Sequence, residues 1–165
     1  MVLGKPESVQ GLRVYLQSDV FETVVASTPL VSIDLVVEND RGEILLGLRN
    51  NRPAQGYWFV PGGRVMKNES LDVAFTRLIH NELDIEWQRC AANFLGVYEH
   101  LYDDSVFGDQ PDTHYVVLAY HLRHDLDLNG LPSSQHNDYR WWSPTDMVDS
   151  DRVHLNSRAY LSALA

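Results

Sequence analysis

Residues 62–85, GGRVMKNESLDVAFTRLIHNELDI, constrain the fold more than any other stretch, because they set a carboxylate where an unassisted helix would not tolerate it. Ser70 to Leu83 reads as a helix in which Leu71, Ala74, Phe75, Leu78 and Ile79 recur at three- and four-residue spacing and form one apolar stripe. Glu82 follows Leu78 by four residues and so falls on that stripe. It also sits in the last helical turn, where the negative end of the macrodipole disfavours another negative charge. A carboxylate opposed on both counts needs a partner, and a bound cation would suffice. Pro61-Gly62-Gly63, just upstream, permits close backbone approach to a ligand and can turn carbonyls or amides toward an ion.

The spacing around that helix is specific. Gly63, five residues, Glu69, seven residues, Arg77, then Ile79, Glu82 and Ile85 resembles the Nudix box, the signature of hydrolases acting on nucleoside diphosphates linked to another group. Two glutamates of the box are replaced by Leu78 and Asn81, and a glycine by Asp84. One of three metal carboxylates remains. That depletion resembles one branch, the GDP-mannose mannosyl hydrolases, and the likeness continues in STPLVSIDLVVEN at 27–39, NRPAQGYWFVPGGRV at 51–65, THYVVL at 113–118, QHNDYRW at 135–141 and NSRAY at 156–160. It spans residues 20–163 within one expected domain, 1–165, leaving residues 1–19 as an N-terminal extension.

The chain as a whole sets further bounds. Its 165 residues, 44% hydrophobic, are enough for one domain with a proper core and too few for two. The formal net charge of −10 argues against nucleic acid or an anionic membrane as partner, since phosphate binding needs a broad basic surface. A phosphate-bearing substrate must therefore be held by a few local cations. The single Cys90 cannot form an intramolecular disulfide, and MVLGKPESVQ lacks a charged segment followed by an apolar run. No stretch approaches the roughly 20 apolar residues of a membrane span. The cytoplasm is the simplest location.

Along the chain, Val14 to Ala26 reads as an amphipathic helix carrying Leu16, Val20, Val24 and Val25, with Phe21 near the stripe; core or dimer packing is its simpler role, stacking on a base the alternative. Leu30 to Glu38 alternates as a strand, with Ile33, Leu35 and Val37 on one face and an unusual mid-strand Asp34 on the other. A turn at 39–42 returns the chain as a second strand, Glu43 to Arg49. The loop NNRPAQG and the short strand YWFV then lead into the box, so Arg49, Arg52 and Arg64 gather around the glycine turn, where guanidinium forks match phosphate oxygens. Ala92 to Tyr102 alternates with Phe94, Tyr98, His100 and Tyr102 on one face. The loop DDSVFGDQPDT that follows is long enough to be a lid or a dimer element. His114 to Arg123 and Tyr139 to Ser143 are further strands, separated by a long loop that holds Gln135 and His136; a short helix starts at Ser143-Pro144, and Asn156 to Leu164 reads as the closing helix. Strands mixed with a few helices predict an α+β protein, and the resemblance implies the Nudix fold, mixed β-sheets sandwiched by helices in α/β/α layers.

A sugar linked to GDP can be cut at phosphorus or at the anomeric carbon. Attack at phosphorus usually recruits several metals around a crowded anionic centre, whereas at carbon the diphosphate departs whole, with one divalent ion and arginines stabilising its charge. Only a base is then needed, titrating near neutrality, which favours histidine. Of seven histidines, His80, His121, His124 and His154 have structural or solvated explanations, while His136 stands in a long loop able to close over a sugar. The residues alone leave that choice open.

The resemblance implies the rest. The Gly62 carbonyl, Glu82 and Gln135 would hold one magnesium ion, or manganese in its place, and His136 would be the general base. Arg49 and Arg64 would draw off GDP, Tyr115 would bond the diphosphate, and Asp34 and His100 would serve the sugar; Phe21 and Tyr102 are the stacking candidates. Glu69 and Arg77 are expected to form a structural ion pair. The implied reaction converts GDP-mannose, GDP-fucose or GDP-glucose to GDP and free sugar with inversion, in a homodimer. The alternatives are an ordinary Nudix pyrophosphatase releasing GMP and a sugar phosphate, or a silent nucleotide-sugar sensor.

Overall fold

The computed structural model describes residues 16–133 and 135–164, so residues 1–14 and the start of the predicted first helix lie outside the described residues. Seven strands make one mixed sheet: β1 (Leu30–Glu38), β2 (Ile44–Arg49), β3 (Trp58–Phe59), β4 (Gly62–Arg64), β5 (Asn93–Tyr102), β6 (Thr113–Arg123) and β7 (His136–Trp142). The strand order is β3-β2-β1-β6-β5, with β4 also paired to β1 and β7 to β2. β1 runs parallel to β6 from Leu30↔Tyr115 to Glu38↔Arg123, while the other pairings are antiparallel.

Helices cover both faces. α2 (Leu71–Leu83) packs against one of them, its Ala74, Phe75, Leu78 and Ile79 meeting Ile33, Leu35 and Val37 of β1. On the opposite face Val36, Leu46, Trp58, Phe59 and Ala119 join Met147 of α3 (Pro144–Asp149) and Tyr160, which lies between α4 (Leu155–Arg158) and α5 (Leu161–Leu164). β1 is therefore buried on both sides, as a central strand between two layers should be. Asp34 belongs to the second face, where it is 6% exposed.

Local chemistry fixes the ends of these elements. The Ser70 side chain accepts a hydrogen bond from Val73 N and caps α2, and Asp84 ends the helix in the left-handed region at φ 53°. That conformation explains why glycine suits this position in the box, and aspartate is among the few other residues that adopt it readily. The 39–42 turn is tied by Asn39 Oδ1, which accepts from the amides of Arg41 and Glu43.

Four expectations need correction. In α1 (Ser18–Ser27) Val25 is buried, but Val20, and Leu16 just before the helix, are 45% and 46% exposed, so half of the expected stripe has no cover among the described residues. Phe94 does not share a face with Tyr98, His100 and Tyr102: the register of β5 shifts between Phe94 and Gly96, and one extra residue reverses the alternation, placing Phe94 against Tyr120. The predicted closing helix is broken into α4 and α5. His136 opens β7 instead of lying in the loop, paired in register with Arg49.

Candidate active site

A cleft of about 390 Å³ opens beside the sheet, bounded by α1, β1, β2, β4, β5, β6 and the loops at 50–53 and 103–113. Arg49 and Arg64 line it, joined by Arg52 from the loop after β2. The aromatic walls are Phe21, Tyr102 and Tyr115, and the polar ones Asp34, His100 and Gln135, with Gly62 between them. The long loop after β5 borders the mouth, where Phe107 packs 5.5 Å from Phe21 and Asp109 pairs with Arg52 at 2.5 Å.

The two predicted residues outside the lining sit immediately behind it. Glu82 is 3% exposed, and its Oε1 accepts a 2.7 Å hydrogen bond from the Gln135 amide nitrogen, which brings the helix and the start of β7 together. His136 is 1% exposed, with Nδ1 3.2 Å from the Tyr139 hydroxyl and 3.8 Å from Glu82 Oε2, while its buried Nε2 makes no hydrogen bond. A side-chain carbon on Gly47 would run into the imidazole, so that glycine makes room for it. Far from being a mobile group over the sugar, His136 is packed under the floor of the cleft.

The glycine turn is shaped by contact. A side-chain carbon on Gly62 would lie 2.5 Å from the Ile33 carbonyl oxygen and 2.8 Å from Asp34 Oδ1, and one on Gly63 would lie 2.7 Å from Leu78 Cδ2. Leu78, standing where the box has a glutamate, thus packs under the turn and is 3% exposed. Glu69 and Arg77 form a two-pronged ion pair at 2.6 and 2.7 Å; Glu69 also accepts from Met66 N, and Arg77 donates to the Arg64 carbonyl. The pair clamps the loop to the helix.

Burial governs the charges. It pushes the Asp34 carboxyl up to about 7 against the Tyr160 hydrogen bond and the pull of Arg49, and lifts Glu82 to about 7 against Arg49 and Arg77. It lowers His100 and His136 to about 4, aided by His154 in the first case and Arg49 in the second. Tyr115 is raised, chiefly by burial, so its phenol stays a donor. Half-burial lowers Arg64, whose guanidinium lies 4.0 Å from the Phe21 ring centroid. Among the described residues no group of three or more His, Cys, Asp or Glu side chains is placed to hold a metal. The predicted ligands, the Glu82 carboxylate, the Gln135 amide and the Gly62 carbonyl, are oxygen donors of the kind a hard divalent ion takes, and the Asp34 carboxylate lies beside the same glycine turn.

One residue of this site escaped the sequence reading. Tyr160 donates to Asp34 Oδ2 at 2.6 Å and lies 3.2 Å from His100 Nε2. An aromatic in a closing helix signals a core position, and nothing local announces partners 126 and 60 residues away.

Comparison with known proteins agrees with this architecture. Residues 28–164 match the family described as NUDIX domain. The chain is 38% identical over 149 residues to the low-salt glycan biosynthesis protein Agl8 of Haloferax volcanii, covering 90% of each. Among solved structures it resembles the MutT NUDIX hydrolase of Burkholderia pseudomallei, with a TM-score of 0.64 and 28% identity over 84% of this chain and 99% of that one. It shares the fold of the NUDIX domain of Shewanella oneidensis NrtR complexed with ADP ribose, with a TM-score of 0.60 and 20% identity over 82% of this chain and 87% of that one. No helix among the described residues is long and apolar enough to cross a membrane. By family match, relative and fold together, the chain belongs to the Nudix hydrolases, enzymes that generally use divalent metal ions.

Proposed function

We propose that the protein hydrolyses GDP-mannose, and the related GDP-fucose and GDP-glucose, to GDP and free sugar by attack of water at the anomeric carbon with inversion. The observation that carries this reading is the arrangement behind the cleft: Glu82 is a buried carboxylate bonded to Gln135, and Leu78, at a position where the box has a glutamate, packs against Gly63. Attack at phosphorus in this family relies on several metal carboxylates, and departure of a whole diphosphate does not. The role that the name of the Haloferax relative gives that protein, glycan biosynthesis, suits a nucleotide-sugar substrate. The resemblance adds a cytoplasmic homodimer.

Glu82, the Gln135 amide oxygen and the Gly62 carbonyl fit one magnesium ion, with manganese as a substitute, because Glu82 is buried with no lysine or arginine ion pair among the described residues. When bound, the ion would offset charge on the leaving diphosphate. Arg49 and Arg64 hold the diphosphate from the cleft wall, and the protonated Tyr115 phenol donates to it. Asp34 and His100 hold the sugar, and Phe21 and Tyr102 offer faces for the base. His136 is the general base. Burial and Arg49 lower its imidazole to about 4, below the near-neutral value expected of the base, so it is neutral at pH 7, and Nε2 is the nitrogen left without a hydrogen bond. Because His136 is 1% exposed, its role as base requires a movement that admits water to the ring.

Product analysis tests the reaction. GDP-mannose and magnesium should yield GDP and mannose by anion exchange, with proton NMR showing the inverted anomer first. GMP and mannose 1-phosphate would overturn the reading in favour of a pyrophosphatase, and tight binding without turnover would favour a sensor.

A further inference from the structure

We propose that the Tyr160 hydroxyl is a positioning group that sets which hexose the cleft accepts, by fixing the carboxylate of Asp34 and the ring tautomer of His100. This rests on the nucleotide-sugar reading above and adds a residue that does not itself line the cleft. Tyr160 is 1% exposed, and its ring stands edge-on to Tyr98 at 4.7 Å between centroids, so the hydroxyl is held by packing on the far side of the two side chains it touches.

The proton count decides the arrangement. A phenol carries one proton, and at Tyr160 it goes to Asp34 Oδ2, 2.6 Å away. The same oxygen can then only accept from His100 Nε2 at 3.2 Å, so that nitrogen must bear the ring proton. His100 is neutral at pH 7, which leaves Nδ1 bare. Asp34 keeps Oδ1 and His100 keeps Nδ1, two acceptors on side chains that line the cleft, each locked at its other end to one hydroxyl. A fixed pair of acceptors takes two sugar hydroxyls in one relative orientation and leaves a buried group unpaired when an epimer presents another. Without the Tyr160 hydroxyl, Asp34 can rotate and His100 can carry its proton on either nitrogen. Both rearrangements let the pair adapt to other sugars.

The test compares the wild type with Tyr160→Phe, which keeps the packed ring, at one fixed pH. We expect kcat/KM for the preferred hexose among GDP-mannose, GDP-glucose and GDP-fucose to fall by about tenfold or more, and that for the others by less than about threefold, narrowing the discrimination. Long-range nitrogen-15 NMR should find His100 protonated on Nε2 in the wild type and on a mixture of nitrogens in the variant. Equal losses for all three substrates, unchanged discrimination, or a wild-type ring protonated on Nδ1 would overturn the proposal. The tautomer needs no substrate, so it separates this claim from the reaction. If none of the three is cleaved at carbon, the functional reading fails, and the ratios of Kd for the three GDP-hexoses decide the role of Tyr160.

Discussion

The clamp at the start of the box helix and the site at its end each turn on one glutamate, partly buried in the first and buried in the second, and they are built on opposite terms. Glu69 meets Arg77 through two short contacts and accepts a loop amide as well, so its charge is compensated within the chain. Glu82 has an amide nitrogen and a distant imidazole for company, and burial lifts it to about 7. β1 repeats the contrast. Glu38 bonds His121 at 2.7 Å and Arg123 at 3.2 Å, whereas four residues earlier Asp34 has one tyrosine hydroxyl and is likewise lifted to about 7. A carboxylate whose partners are complete serves the fold, and one left short of charge points to what arrives later.

The largest expected effect lies at the uncompensated end. Replacing His136 by Gln should lower kcat by about 10²- to 10⁴-fold, the usual contribution of a general base, without a matching fall in Tm. Turnover within about threefold of wild type would remove His136 from the mechanism.

Next come the two glutamates themselves. Glu82→Gln should weaken the magnesium response by more than the roughly 10- to 100-fold that loss of an outer partner costs, while Tm at pH 8 holds or rises because an unpaired buried charge is gone. Glu69→Gln should do the reverse, costing about 1–3 kcal/mol in a urea titration and leaving the magnesium midpoint nearly in place. If the two variants exchanged these phenotypes, the contrast between the helix ends would collapse.

A pH series separates the ends more gently. Glu82 and Asp34 have folded values raised to about 7, above those of the unfolded chain, so their contribution to stability is present at low pH and is lost as pH rises through about 7. His100 and His136, lowered to about 4, act oppositely between about 4 and 6.5 and are silent above that window. Stability without metal should therefore fall by about 1.5 kcal/mol between about pH 6.5 and 8, read from urea midpoints, and magnesium should reverse the fall. The smallest effect belongs to the helix terminus, where Asp84→Gly should add about 0.5–1 kcal/mol by relieving the left-handed backbone.

Much of this architecture was legible because it is local. The stripe on α2, the position of Glu82 along it, the β1–β2 hairpin and the Glu69–Arg77 clamp follow from spacings of three, four and eight residues. What the sequence hid depends on distant pairing. The bulge that turns Phe94 to the other face is set by the register with β6, and the burial of His136 is set by β7 pairing with β2 and by the space at Gly47. Tyr160 reads as core from its neighbours, and its bond to Asp34 exists only once the last turn of the chain folds onto the first strand.

The reaction itself is tested most directly by hydrolysing GDP-mannose with magnesium in oxygen-18 water and locating the label by mass spectrometry before the free sugar exchanges its anomeric oxygen. The label should enter mannose and leave GDP unlabelled, as attack at carbon under a single carboxylate requires. Label in GMP or in mannose phosphate would place the attack at phosphorus and contradict the account built on Glu82, Gln135 and His136.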